Sequence, residues 1–329
     1  MSSLKLSVIG RFLATVEENR LISPGDRVLA AVSGGADSVC LLDLLRLVSG
    51  RFRLRLVGFH MNHGLRSSSR DDEAFVRRLF GEWKLELRVV RAPVARYARA
   101  HKLGIEEAGR VLRYRHMERL AARLDCQRIA LGHTANDNLE TMLLNLVRGA
   151  GLSGLAGIPV WRGKFIRPLL DMERGDVERH LRSRGIEWVE DKSNQDVRFH
   201  RNLLRHRVVP ILEQVNPAAV ASARRASRLL TEENEFLDAL AADVAEKVAD
   251  VVRGSVRIDT RKFSNYNNIL KRRVLKRLLP ELDSDAVETV LRFAKREAGG
   301  RLCLVAGISV RLRRGIIELQ RPKEILKNA

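Results

Sequence analysis

Short apolar runs and amphipathic stretches alternate through the first 150 or so residues of the chain. "RVLAAV" (27–32), "LRLVGFH" (54–60), "LELRVV" (85–90) and "RIALGH" (128–133) are brief, rich in Val, Leu and Ile, and bounded by polar turns, which marks buried strands. Between them, apolar residues recur at helical spacing over 38–48, 71–83, 106–124 and 137–148. Strand, helix, strand, helix at these lengths predicts βαβ units: an α/β fold with helices on both faces of a parallel sheet. "FIRPLL" (165–170) reads as a further strand, with a helix near 173–184.

From about residue 219 the pattern changes to long amphipathic helices, of which 229–252 is the clearest. The last stretch, "GGRLCLVAGISVRLRRGIIELQ", shortens into hairpin-like strands with Gly307 and Gly315 at the turns. A chain of 329 residues exceeds the size at which one core usually stops growing. Two domains are therefore expected, 1–216 and 217–329, divided near Asn216-Pro217, the second smaller and mainly helical.

Charge narrows the partners. The chain carries 60 Lys and Arg against 40 Asp and Glu, a net +20. Seven arginines lie between Asp196 and Arg228, and seven Lys or Arg with no acid between Arg261 and Arg277. Phosphates neutralised by such clusters release counterions, which favours a nucleic acid partner over an uncharged one. At 5% aromatic residues, extensive base stacking is not indicated. No run approaches 18 apolar residues and the start lacks a signal core, so a cytoplasmic protein with no membrane contact is expected. Cys40, Cys126 and Cys303 form neither a disulfide framework nor a CxxC pair, which argues against zinc or iron–sulfur.

Candidate chemistry begins at "VLAAVSGGADS" (28–38), where the first strand breaks into a glycine-rich turn. The loop after the first strand of an open parallel sheet is the usual phosphate site. Gly34 and Gly35 permit close backbone approach, Ser33 and Ser38 add hydroxyls, and the amides from Ala36 and Asp37 onward open a helix N-terminus. An ordinary turn capped by Asp37 or Ser38 would read the same way. The spacing is neither that of a Lys-Ser/Thr P-loop nor GxGxxG. After the fourth strand, His133 leads into "TANDNLET", where Asp137, Glu140 and Thr141 share one face of a starting helix. These acids suit Mg2+ or a substrate ammonium, and equally a favourable first turn capped by Thr134. Arg110 and Arg113 share a helical face beside Tyr114, while His60, His63 and Arg66 flank the loop after the second strand. Arg198, Arg201 and Arg205, at periods of three and four, form a ridge suited to phosphate contacts. Lys271, Arg272 and Arg273 are the densest part of the second basic cluster.

SGGxDS at the end of a first strand resembles the PP-loop of the N-type ATP pyrophosphatases, whose adenine nucleotide alpha hydrolase-like fold is a parallel-sheet α/β domain. "HMNHGLR" (60–66), "EEAGRVLRYRHMERLA" (106–121), "LGHTANDNLETMLLNLVRGAGLSGLAGIP" (131–159), "IRPLL" (166–170) and "EDKSNQDVRFHRNLLRHRVVPIL" (190–212) follow in order. Together they resemble the tRNA(Ile)-lysidine synthases, densely over 26–215 and loosely beyond. The resemblance implies a short form without the last C-terminal domain of longer members.

What the resemblance implies is an ATP-dependent ligation. ATP adenylates the C2 oxygen of the wobble cytidine of an isoleucine tRNA with a CAU anticodon, and the ε-amine of free L-lysine then displaces AMP. It implies ATP contacts at Ser33, Gly34, Gly35, Ala36, Asp37 and Ser38, and lysine contacts at His133, Asp137 and Glu140. It makes Asp37, Arg113 and Asp137 the catalytic candidates, selecting Arg113 over Arg110 by the match at "LRYR". The metal ligands stay open, with Asp37 the candidate contact for Mg2+. Partners are the tRNA, gripped by Arg198, Arg201, Arg205, Lys271, Arg272 and Arg273, free lysine and, as one option, a second copy of the chain. Many relatives carry a second acid where this chain has Asn136. A PP-loop tRNA thiolase would need reactive cysteines or a cluster-binding CxxC. A non-catalytic RNA-binding module would have no reason to keep Asp37, Arg113 and Asp137 together.

Overall fold

A computed structural model of the protein describes residues 7–64, 69–190, 197–252, 254–296, 299–304 and 307–321. Contacts divide the chain into two units, Met1–Leu230 and Thr231–Ala329. The first holds a six-stranded sheet: β1 (Arg27–Ala31), β2 (Arg55–Asn62), β3 (Glu86–Arg91), β4 (Arg128–Ala130), β5 (Trp161–Arg162) and β6 (Phe165–Ile166). Its order is β3-β2-β1-β4-β6-β5, parallel throughout except for β5 against β6. All five predicted strands form. The "FIRPLL" strand stops at two residues, and Pro168, just beyond, has no N–H with which to extend a ladder.

The helices of this unit are α1 (Val8–Glu18), α2 (Ala36–Phe52), α3 (Ser69–Glu82), α4 (Val94–His101), α5 (Ile105–Arg123), α6 (Ala135–Val147), α7 (Leu152–Leu155), α8 (Arg174–Ser183), α9 (His200–Leu203), α10 (Val209–Val215) and the start of α11 (Ala219–Val248). A π-helical turn, Leu204–Val208, joins α9 to α10. Alternate residues of β1 serve two cores. Val28 and Ala30 pack in one with Phe12, Leu41, Leu45 and Val177, and Leu29 in the other with Val94, Ala98, Leu112 and Met117. A strand buried on both faces explains why "RVLAAV" is apolar without alternation.

The chain runs from β1 outward to β3, then returns to place β4 on the other side of β1. Where strand order reverses, the loops leaving the carboxyl ends part and open a crevice. The loops after β1 and β4 therefore border that crevice.

The second unit holds the end of α11, β7 (Ala249–Val252), β8 (Ser255–Asp259), α12 (Thr260–Ser264), α13 (Asn268–Leu278), α14 (Ser284–Phe293), β9 (Gly300–Cys303), β10 (Ser309–Arg313) and β11 (Ile316–Gln320). Its antiparallel sheet has the order β7-β8-β11-β10-β9. Val256, Ile258, Val310, Leu312, Ile317 and Leu319 alternate inward onto Val244, Val274 and Val290 of the helices. The helix predicted over 229–252 overshoots: 249–252 pair with β8 as a strand, as β-branched Val251 and Val252 favour. The predicted boundary at Asn216-Pro217 lies ahead of α11, and the division by contacts lies inside it. Among the described residues, no helix is long and apolar enough to cross a membrane.

Candidate active site

The glycine-rich turn is built to leave a helix end open. Gly34 sits at φ +101°, a backbone region that side-chain-bearing residues avoid, and its carbonyl accepts from the Val189 amide at 2.9 Å. Ser33 and Ser38 hydroxyls lie 3.1 Å apart, and Ser38 Oγ donates to the Gly35 carbonyl at 2.9 Å. These bonds fold the turn on itself. Gly35, the N-cap of α2, brings no side chain to the first-turn amides, leaving them to an anion.

Asp37 stands in that first turn. Its Oδ1 is buried without a hydrogen-bond partner, and Oδ2 faces Arg174 at 3.5 Å. Burial pushes its carboxyl up to about 6, with Arg174 opposing and Asp137 adding to the rise. The loop after β4 meets it directly: a Cβ on Gly132 would lie 2.9 Å from the Asp37 carbonyl oxygen, so only glycine fits.

Beyond Gly132, His133 keeps a buried, unpartnered Nδ1. Burial lowers this imidazole to about 4 against the pull of Asp137, and Arg167, Arg201 and Arg113 lower it further, so it is neutral at pH 7. Asp137 caps its own helix: Oδ2 accepts from the Thr134 amide at 2.8 Å and the Thr134 hydroxyl at 3.1 Å. Burial raises its carboxyl, but Arg201, the Thr134 amide and Arg205 outweigh burial and keep it ionised. Asn136 accepts the Arg174 amide at 2.9 Å and so helps start α8.

Glu140 is 1% exposed, and both its oxygens are taken. Arg205 Nε donates to Oε1 at 2.6 Å and Arg201 Nε to Oε2 at 2.8 Å. Both arginines also approach Asp137 Oδ1, at 3.3 and 3.5 Å. Arg201 and Arg205, read from the sequence as part of an outward ridge, thus hold the two acids of α6, while Arg198 is exposed. Arg113 has no carboxylate within ion-pair distance among the described residues, and burial lowers its pKa. His60 is buried, with Nδ1 2.9 Å from the Val32 carbonyl, where it braces the end of β1. Arg66 lies outside the described residues.

Two residues at this end carry no role in the sequence reading: Arg174, first in α8, and Arg167, which lies inside the "IRPLL" motif just after β6. In a chain with 60 Lys and Arg, neither has a spacing that singles it out.

In the second unit, Lys271 donates to the Ser264 carbonyl at 2.9 Å, Arg272 pairs with Glu288, and Arg273 with Asp238. No group of three or more His, Cys, Asp and Glu is arranged to hold a metal among the described residues. Cys40 and Cys126 are buried, and burial pushes both thiols up, away from the reactive thiolate.

Comparisons with known proteins agree with this fold. The PP-loop domain family matches residues 6–212. A tRNA(Ile)-lysidine synthase from Chlorobaculum tepidum is 34% identical over 94% of this chain and 96% of its own length. The enzymes of that name from Caldanaerobacter subterraneus and Porphyromonas gingivalis strain W83 are 32% and 43% identical over 84% and 65% of this chain. The chain spans 60% and 47% of the lengths of those two. Among solved structures, the U34-tRNA thiolase NcsA from Methanococcus maripaludis superposes with a TM-score of 0.55 at 19% identity, over 68% of this chain and 78% of its own, a likeness of fold. The PP-loop match across the first unit, joined to the nearly full-length Chlorobaculum match, means that this chain belongs to the PP-loop ATP-binding proteins and, among them, to the tRNA(Ile)-lysidine synthase family.

Proposed function

We propose that the protein joins L-lysine to the wobble cytidine of an isoleucine tRNA with a CAU anticodon, at the expense of ATP. In the first step the cytidine C2 oxygen attacks the α-phosphorus of ATP, forming an O–P bond and releasing pyrophosphate. In the second, the lysine ε-amine attacks C2, a C–N bond forms, the C–O bond to AMP breaks, and the nitrogen sheds its proton.

The reading is carried by the meeting of two loops at the switch point. The open turn at Gly34–Asp37 and the acids of α6 touch through Gly132, so a phosphate site and an ammonium site lie side by side. Ser33 to Ser38 cradle the triphosphate. Asp37, with its orphaned oxygen, fits a Mg2+ shared with ATP, because Mg2+ binds through one or two carboxylates together with phosphates. Bound there, the ion would neutralise charge developing on the pyrophosphate. Arg113, without a carboxylate partner among the described residues, supplies a cation for a substrate anion, either the leaving pyrophosphate or the carboxylate of lysine. Asp137, together with Glu140 once Arg201 or Arg205 yields one of its oxygens, supplies negative charge for the lysine amine, beside a neutral His133. Arg198 with Lys271, Arg272 and Arg273 contacts tRNA phosphates, and the basic region beyond residue 216 is the tRNA-binding domain of a cytoplasmic enzyme. A thiolase reading is disfavoured by the buried, unactivated Cys40 and Cys126.

The test is product analysis after incubation with ATP, lysine and bulk tRNA. Lysidine in the nuclease digest, with AMP and pyrophosphate formed in equal amounts, is expected. AMP without lysine incorporation would sink the ligase reading.

A further inference from the structure

Arg167 is a buried cation without an anion. It follows β6 directly, beside the loop after β4, since the Leu131 amide donates to the Ile166 carbonyl at 2.9 Å. The side chain is 6% exposed. Its Nη1 donates to the Pro159 carbonyl at 2.7 Å, Tyr114 lies close enough to act on its charge, and Nε is buried with no partner. Among the described residues, no carboxylate lies within ion-pair distance of it. Tyr114 is held in place by packing on Phe165, with ring centroids 4.8 Å apart.

Buried charges are ordinarily paired, because an isolated ion loses its hydration without compensation. Here a second, half-buried guanidinium lacking a carboxylate among the described residues, Arg113, stands one position before Tyr114 on α5, and both cations act on the His133 imidazole. Like charges gathered in a low-dielectric site call for an anion from outside the chain. Asp137 acts on the same imidazole with the opposite sign. Two cations and a carboxylate gathered about one neutral ring suit a zwitterion. A phosphate drawn to the arginines would meet the ionised Asp137, whereas an amino acid brings a charge for each sign.

We propose that Arg167, together with Arg113, forms the subsite for the α-carboxylate of the lysine substrate, making Arg167 a specificity-determining residue. This rests on the function proposed above. An amine without the carboxylate would leave both guanidiniums unpaired and so be rejected.

The experiment uses adenylated tRNA and compares lysine with lysinamide and cadaverine, which carry the ε-amine but no carboxylate. The wild-type protein is expected to prefer lysine by about 100-fold in kcat/KM. Arg167→Gln should lower kcat/KM for lysine by roughly that factor, barely change it for cadaverine, and affect adenylation far less. Arg167→Lys should restore part of the preference. Equal use of the three amines by the wild-type protein would overturn the proposal without any variant. So would an Arg167→Gln variant that loses lysine and cadaverine transfer alike, or whose main loss is in adenylation, which would move the anion to ATP or tRNA phosphate. No lysine transfer by the wild-type protein would overturn the underlying function, and this subsite with it.

Discussion

Arg205 Nε donates to Glu140 Oε1 at 2.6 Å, and Arg201 holds the other oxygen of the same buried carboxylate. The acid is a hub with two cations, whereas each cation has one close acid and a weaker approach to Asp137. Removing one partner of a buried pair typically costs about 3–5 kcal/mol. Glu140→Ala should fall in that range, because it strands two guanidiniums. Arg205→Ala should cost roughly half as much, since Arg201 still serves Glu140. Urea denaturation of the single and double variants gives the comparison, with the double variant costing less than the sum. An Arg205→Ala loss equal to that of Glu140→Ala would contradict the hub.

Gly35 differs from Gly34 in what it requires. Gly34 needs its left-handed backbone, but a Cβ at Gly35 would meet only ordinary contacts, Ser33 Oγ at 3.6 Å being the nearest. Space at Gly35 therefore serves the ligand and not the fold. Gly35→Val should keep wild-type stability within about 1 kcal/mol and lose at least roughly 100-fold in ATP-to-AMP turnover. Pyrophosphate release at a near-normal rate would remove the phosphate-cradle role from this turn.

Much of this site is written in local spacing. SGGADS after an apolar strand, and Asp137 with Glu140 on one helical face, are short-range patterns, and the structure brings them together across β1 and β4. The inward turn of Arg201 and Arg205 is not local. Periods of three and four place Arg198, Arg201 and Arg205 on one face; Arg201 and Arg205 keep that common face and turn it inward onto Glu140, whereas Arg198 precedes α9 and stays exposed. Arg167 and Arg174 acquire meaning only through partners distant in sequence or through the lack of them. In "KVADVV" the helical spacing persists into β7, where pairing with β8 decides the outcome.

Asp37 sets function against stability. Its carboxyl stands at about 6, above the unfolded value, chiefly through burial, so the ionised form is disfavoured in the fold. The penalty is full above pH 6, shrinks as the folded state takes up its proton, and vanishes below about pH 4, where both states are protonated. Asp37→Asn removes it. In EDTA, the variant should be about 1–3 kcal/mol more stable than wild type at pH 8 and equal to it near pH 4, while losing ATP turnover. Denaturation at the two pH values measures this. A constant difference across that range would show that the carboxylate carries no burial penalty.

The basic cluster of the second unit divides by pairing. Arg272 and Arg273 already face Glu288 and Asp238, so a phosphate must displace a carboxylate to use them. Arg261, Lys262 and Arg277 are exposed and, among the described residues, have no carboxylate partner. If this surface grips tRNA, affinity should fall with salt at a log–log slope of roughly 0.7 to 0.9 per phosphate neutralised. Replacing Arg261, Lys262 and Arg277 with alanine should lower that slope by about two to three, and replacing Lys271, Arg272 and Arg273 by about one. Both triple variants should weaken cognate and non-cognate tRNAs alike, because phosphate contacts position the tRNA without specifying it. Salt titrations of tRNA affinity decide between the sets. Unchanged slopes in both would leave this surface merely solvated and shift the grip to the first unit, where Arg198 is exposed.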